Sequence, residues 1–411
     1  MPERYSRRDF LTGVLVCGTA STAALSLLPE KPLPASPPAP KVQLRLLTGP
    51  DVTGARELLI SMWNRGHEQT EVILTLDPGQ TGDQKTHMEA AAENGSADIV
   101  NLDTIHLKRF IDRGLITPVE VSDASLFIPQ TMLPEQVIGS GSLWAVPFNT
   151  DVGLLFERVA DGELQRNRTL KNTMDELAMV DSQRLVGQVD PTSSASHEAF
   201  VVNVLEHALA QNPNILNADG RPAEELNTWL NALQPLRDAL GRGRVVGSSS
   251  EDDSVRVYGT DPRPRYMRNW PVAYRKLQLA KDPDTVAGRI RVHSLAPGIL
   301  GGQSLAVANK SPHASRAKDV IRFLTGTEAQ QIIAAHGLAP TRITAYNDDN
   351  LEVVIPHLKK IRGAVEGSRR RPTHVEYIRF TDVIFKYLSP FLKGSASLPS
   401  AFIDEMRQAL S

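Results

Sequence analysis

The chain offers little to covalent or metal chemistry. Its single cysteine, Cys17, leaves no partner for a disulfide within the chain. Aromatic residues make up only 5% of 411 residues, so each of the four tryptophans needs a place of its own. Lysine and arginine number 45 against 47 acids, a net charge of -2, with no cationic excess to attract nucleic acid or an anionic membrane. No Gly-x-Ser-x-Gly elbow is present. His87, Glu89 and His106 lack the spacing of a His-Glu-x-x-His metal helix. Asp51 and Asp103 could nominally form the carboxylate pair of a glycosidase, but no local motif sets either up as an acid. The expectation is therefore no catalytic group, no metal and no cofactor.

The N-terminus is richer. Arg4, Arg7 and Arg8 precede an uncharged apolar stretch from Phe10 to Leu28, and Ser6-Arg7-Arg8-Asp9-Phe10-Leu11 resembles a twin-arginine (Tat) export signal. The stretch approaches the roughly 20 residues of a membrane span, but its Gly, Ala, Ser and Thr content makes it mildly apolar. Cys17 follows Val16 rather than a small residue, which disfavours lipid attachment. Residues 29–41 then form a proline-rich linker suited to extended polyproline II.

The folded part is expected to begin near Lys41. Val42, Leu44 and Leu46 alternate with polar residues, as do Val72, Leu74 and Leu76, the signature of half-buried strands. Between them Leu58, Leu59, Met62 and Trp63 recur at helical spacing. A helix from about Gln84 to Glu93 stops at Asn94-Gly95, and a strand follows over Asp98–Leu102. This order predicts a parallel sheet with helices on both faces, and a ligand beyond the carboxyl ends of its strands. Thr48–Gly54 and Asp103–His106 lie there. The stretch from about Asp151 to Val292 reads as mostly helical, Ser304–Ala308 as a strand followed by a helix, and the last sixty residues as helical.

Several separated segments resemble the sugar-specific extracellular solute-binding proteins of bacterial ABC importers, of the trehalose and maltose type. They are Ala97–Asp103, Leu143–Phe156, Thr173-Met174-Asp175-Glu176-Leu177, Tyr266-Met267-Arg268-Asn269-Trp270-Pro271, Gly301–Val307 and Leu338-Ala339-Pro340-Thr341-Arg342. The likeness runs through nearly the whole chain after the linker. Departures are Phe156-Glu157 for Tyr-Asn, His106 for an aromatic, and Thr260-Asp261-Pro262-Arg263 for an acidic Gly-Lys segment. The resemblance implies an α/β fold of two lobes closing about a hinge. Its divisions would be residues 1–28 as the Tat-type signal and 29–41 as the linker, with 42–150 as the first lobe and 151–298 as the second. Residues 299–345 would return to the first lobe, and 346–411 would supply C-terminal helices shared between lobes.

The implied role is capture of a carbohydrate, a di- or oligosaccharide such as a trehalose- or maltose-type sugar, for delivery to membrane permease subunits. The protein would act as an exported monomer without nucleic-acid partners. Sugar hydroxyls need fixed donors and acceptors, and a pyranose face needs a flat aromatic ring. The residues placed in the site are Asp51, Thr53, Asp103, His106, Trp144, Asn149, Asp151, Arg268, Trp270, Gly302, Gln303 and Arg342. Trp270 is the expected platform and Trp144 a second, while Trp63 and Trp229 read as packing. Asp51 and Thr53 could instead only shape the Pro50 turn, and Asp103 only cap a helix. Arg371 reaches the cleft in relatives, but in a triple arginine it reads as solvated. A non-sugar solute such as a polyamine, a sensory role and a glycan-active enzyme are the competing readings.

Overall fold

The computed structural model describes residues 41–77, 81–133, 136–139, 141–160, 163–164, 166–190, 197–260, 264–279, 290–295 and 297–411. The twin-arginine segment, Cys17 and most of the proline-rich linker lie outside the described residues. The alternation at Val42, Leu44 and Leu46 becomes strand β1 (Val42–Thr48), which pairs in parallel with β2 (Thr70–Leu76) and β3 (Ile99–Asp103). Helices Ala55–Gly66 and Thr81–Asn94 make the two connections. β14 (Leu300–Ala308) adds antiparallel to β3, followed by β8 (Val146–Val152) and β15 (Ala339–Pro340), with β4 (Ile116–Thr117) beside β14. A small sheet of β5 (Val119–Glu120), β6 (Val137–Ile138) and β7 (Ser142–Leu143) stands apart.

Both faces of the first sheet are covered, and the pleat decides which residue goes where. Ile99, Leu305 and Val307 pack with Leu44, Leu46 and Trp63 on one face. Their neighbours Val100, Leu102, Ala306 and Ala308 pack with Met88 and Phe110 on the other. Trp229 is fully buried and Trp63 nearly so, as packing residues should be.

The second lobe corrects the expectation of a mostly helical stretch. Five strands run through it in the order β11-β10-β12-β9-β13: β9 (Leu154–Arg158), β10 (Arg184–Gly187), β11 (Val245–Gly247), β12 (Pro264–Asn269) and β13 (Ile290–Ser294). Their adjacent residues feed opposite cores: Leu155, Leu185 and Tyr266 one, Phe156, Val186 and Met267 the other. Strands this short, apolar on both sides, show no period-two pattern, and the long helices His197–Gln211 and Leu226–Gly241 dominate the local signal.

The chain passes from the first sheet to the second at Gly153, between β8 and β9, and returns between β13 and β14. A Cβ on Gly153 would lie 2.6 Å from Leu295 Cδ1 and 2.7 Å from the Glu206 carboxyl carbon, so the crossing strands leave room only for hydrogen. Near the return crossing Ile299 bridges to Arg369. Helix Leu358–Glu366 packs with Phe156 and Val292 of the second lobe, in a cluster that also takes Val152 and Ala339 of the first sheet. Helix Tyr377–Leu392 packs with Phe200 and Trp229.

Candidate functional site

The carboxyl ends of β1 and β3 and the crossing strands β8 and β14 meet where the lobes face each other. After β1 the chain turns at Asp51. Its Oδ1 accepts from Thr53 N at 2.8 Å and Thr53 Oγ1 at 2.6 Å, and its Oδ2 accepts from Arg56 N at 3.0 Å. Burial pushes this carboxyl up, but the bonds from Thr53 and Arg56 outweigh it and hold it below the usual range. Asp51 and Thr53 therefore build the helix entry, with side-chain oxygens engaged inside the turn.

Arg56, in the first turn of that helix, is a member of the set that sequence reading missed. It is buried, and its guanidinium donates to Gly49 O at 2.9 Å and to Gln303 Oε1. Gln303 Oε1 also accepts from Asn101 Nδ2 at 2.9 Å, and Asn101 Nδ2 reaches Thr48 Oγ1 at 3.0 Å. A signal was present: Arg56 falls with Leu59, Ile60 and Trp63 at i, i+3, i+4 and i+7, a cation on the apolar stripe of a helix.

Asp103 ends β3 and caps the turn Thr104–His106, accepting from Ile105 N at 3.1 Å. Its Oδ1 also meets Arg371 Nη2 at 3.4 Å. Arg371 is buried rather than solvated, and its other nitrogen binds the Glu198 carboxylate, which accepts from Tyr377 Oη at 2.9 Å. A chain of charge thus links β3 to helix His197–Gln211 of the second lobe. Burial holds His106 down to about 4, so it is neutral at physiological pH. Its Nε2 has no hydrogen-bond partner.

Asn149 and Asp151 lie two apart on β8 and so project from one face. Asn149 Nδ2 contacts Asp151 Oδ2 at 3.5 Å, while its buried Oδ1 has no partner. The Asp151 carboxyl is pushed up to about 7 by burial and by the Asp103 charge, against the pull of Arg56, Arg371 and Arg268. Opposite them, Gly302 has φ 132°, and a Cβ there would meet Asn149 O at 2.6 Å. This glycine lets β14 approach β8 at the irregularity in their register between Gln303 and Ser304.

The second lobe contributes β12. Arg268 is 1% exposed, and all three guanidinium nitrogens are engaged. Nε and Nη2 donate to Glu206 at 2.5 and 2.9 Å, and Nη1 donates to Gln188 Oε1 at 3.1 Å. The residue expected to meet the ligand is thus held in a buried ion pair with Glu206. Instead its guanidinium lies 4.0 Å from the centre of the half-buried Trp270 ring, whose Nε1 donates to Glu251 Oε1 at 3.2 Å. Arg268 supports the platform from beneath.

Two expected residues lie elsewhere. Trp144 precedes β8, at the opposite end of that strand from Asn149 and Asp151, and packs against the cluster of Met88 and Phe110. Arg342 lies beyond β15, where the chain has run back past Asn149. It is 2% exposed, paired with Asp123 at 2.5 and 3.2 Å, bonded to Thr325 O and stacked on Phe127 at 4.3 Å. Among the described residues no group of three or more His, Cys, Asp or Glu is placed to hold a metal.

Residues 64–353 match the family of bacterial extracellular solute-binding proteins. A curated relative from Deinococcus radiodurans, named a probable ABC transporter-binding protein, is 26% identical over 264 residues, which make up 59% of this chain. The match spans 62% of that relative's own length, under two thirds of it. The solved structure of maltose-bound MalE3 from T. maritima superposes with a TM-score of 0.74 over 90% of this chain and 99% of its own, at 22% identity. The GacH receptor of Streptomyces glaucescens, solved free and with acarbose, gives 0.73 over 90% and 99%, at 17% identity. Both share the two-lobed fold. Matched by the family over most of its length, the chain belongs to the bacterial extracellular solute-binding proteins, and its clamp is a binding device rather than an enzyme.

Proposed function

We propose that this protein is the substrate-binding component of an ABC importer, taking up a neutral carbohydrate of di- or oligosaccharide size and passing it to a membrane permease. The observation that carries this reading is the pair on β8: Asn149 Oδ1, buried and without a partner, beside the Asp151 carboxyl. A buried unpaired acceptor costs roughly 1–3 kcal/mol, which a ligand hydroxyl would relieve. The surrounding charges Asp51, Asp103, Arg56, Arg371 and Arg268 each already have an ion-pair or backbone partner. That balance favours an uncharged polyhydroxyl solute over a polyamine. Trp270, propped by Arg268, supplies the flat surface for a sugar ring. The occupants of the two structural neighbours, maltose and acarbose, agree in chemical class. The same reading has the chain exported through its Ser6–Leu11 segment and working as a monomer.

Thermal shift against sugars, polyols, amino acids and polyamines tests this. A ligand that binds the folded state alone raises the melting temperature. Stabilisation by a saccharide, followed by calorimetry in which Trp270→Ala weakens binding at least about tenfold, is the expected result. Stabilisation by a polyamine and by no sugar would overturn it.

A further inference from the structure

At the end of the first sheet opposite the cleft lies a groove of about 550 Å³. Its walls are the last turn of helix Ala55–Gly66, the start of β2 and helix Ala314–Leu324, and it has no part in the site described above. Its floor is aromatic. His67 lies flat on Trp63, with centroids 3.5 Å apart and planes 10° from parallel, and Phe323 stands edge-on to them at 5.4 and 6.1 Å. His67 Nδ1 lies 2.9 Å from Trp63 O, so the stack is fixed in place. Trp63 is buried, but the His67 above it is exposed.

The position of the chain's first described residues names an occupant. Val42 is in register with Thr70, and its N–H donates to Gln69 O at 3.0 Å; both Gln69 and Thr70 line the groove. The described residues therefore begin at the groove wall, directly after the proline-rich run Pro29–Pro40. Six of its twelve residues are proline. Such a run favours polyproline II, which rises about 3.1 Å per residue and has no internal hydrogen bonds, so little order is lost on docking. Seven residues, Pro34 to Pro40, span roughly 20 Å at that rise, enough to cross from Lys41 over the stack. Aromatic-lined grooves grip proline rings in this conformation.

We infer that the segment Pro34–Pro40 docks in the groove over His67 and Phe323 and straps the N-terminal tether to the back of the first lobe. The strap fixes the direction in which the chain leaves that lobe and keeps the tether clear of the cleft mouth.

The test uses the full chain with Cys17→Ser, spin-labelled through Ser36→Cys and Glu68→Cys. Pulsed dipolar spectroscopy should give one narrow label-to-label distance. Pro37→Gly with Pro38→Gly, or His67→Ala, should broaden it several-fold while leaving the melting temperature within a few degrees. A broad distribution in the starting protein overturns the inference. So does a narrow one that neither variant changes, or one that vanishes on dilution with unlabelled protein, which would mean a second copy supplies the strap.

Discussion

Asp151 is a carboxyl whose charge state changes near neutral pH, and the direction of its effect can be worked out. Folded, it holds its proton up to about 7, whereas its ordinary value is 3.8. The folded state therefore binds more protons than the unfolded chain across that window. The resulting stabilisation is complete below about pH 4 and is lost as pH rises through about 7. Buried His106 and His207, held down to about 4 and 3, act in the opposite sense, destabilising the fold as pH falls below their ordinary value. Comparison with Asp151→Asn cancels the histidines. The melting temperature of the parent relative to this variant should fall steadily between about pH 4 and pH 8; a constant difference would mean that Asp151 titrates normally. Arg268 and Glu206 allow a second residue-scale expectation. Glu206→Ala leaves a cation unpaired in a dry interior and should cost about 3–5 kcal/mol by urea unfolding, whereas replacing both with apolar residues should restore much of that.

Among the elements, β14 carries a tight constraint. Gly302→Ala forces a Cβ onto Asn149 O and asks an L-residue to hold φ 132°. A loss of about 2 kcal/mol or more in urea unfolding is expected, with weakened ligand binding because Asn149 and Gln303 flank the displaced backbone. How legible each element was depended on its surroundings. β1, helix Ala55–Gly66, β3 and β14 with its following helix could be read from periodicity, because each presents at least one patterned face. The β2 pattern fades at its end, where Leu76 is 47% exposed beside the cleft. β10 and β11 could not be read, being short and apolar on both sides, and in β12 the buried Arg268 and Asn269 break the alternation. For the candidate site, Asp51, Asp103, Asn149, Asp151 and Gln303 were proposed from strand ends and resemblance. Glu198 and Glu206 were not, since each depends on a partner 62 to 173 residues away, and Arg371, which the resemblance brought to the cleft, read as solvated because its partner Asp103 lies 268 residues away. Arg268 and Arg342 show the converse: a motif can mark a residue that the fold buries in an ion pair.

For the molecule as a whole, closure requires the ligand to touch both lobes, because one with equal affinity for open and closed forms shifts nothing. Asn149 and Asp151 belong to the first lobe and Trp270 to the second, so a solute spanning them has that differential grip. Small-angle X-ray scattering should show compaction on adding the stabilising ligand and none with Trp270→Ala at the same concentration. Compaction in both would place the second-lobe contact elsewhere.

Glu206 is where these scales join. Its carboxylate accepts from Arg268 and also from Ile299 N at 3.0 Å, just before the return strand, and it lies directly against Gly153 at the outgoing crossing. Trp270, the proposed sugar platform, thus stacks on a guanidinium whose carboxylate partner sits at the crossing between the lobes. If the lobes close by turning at this crossing, Trp270 fluorescence should change as the ligand is added.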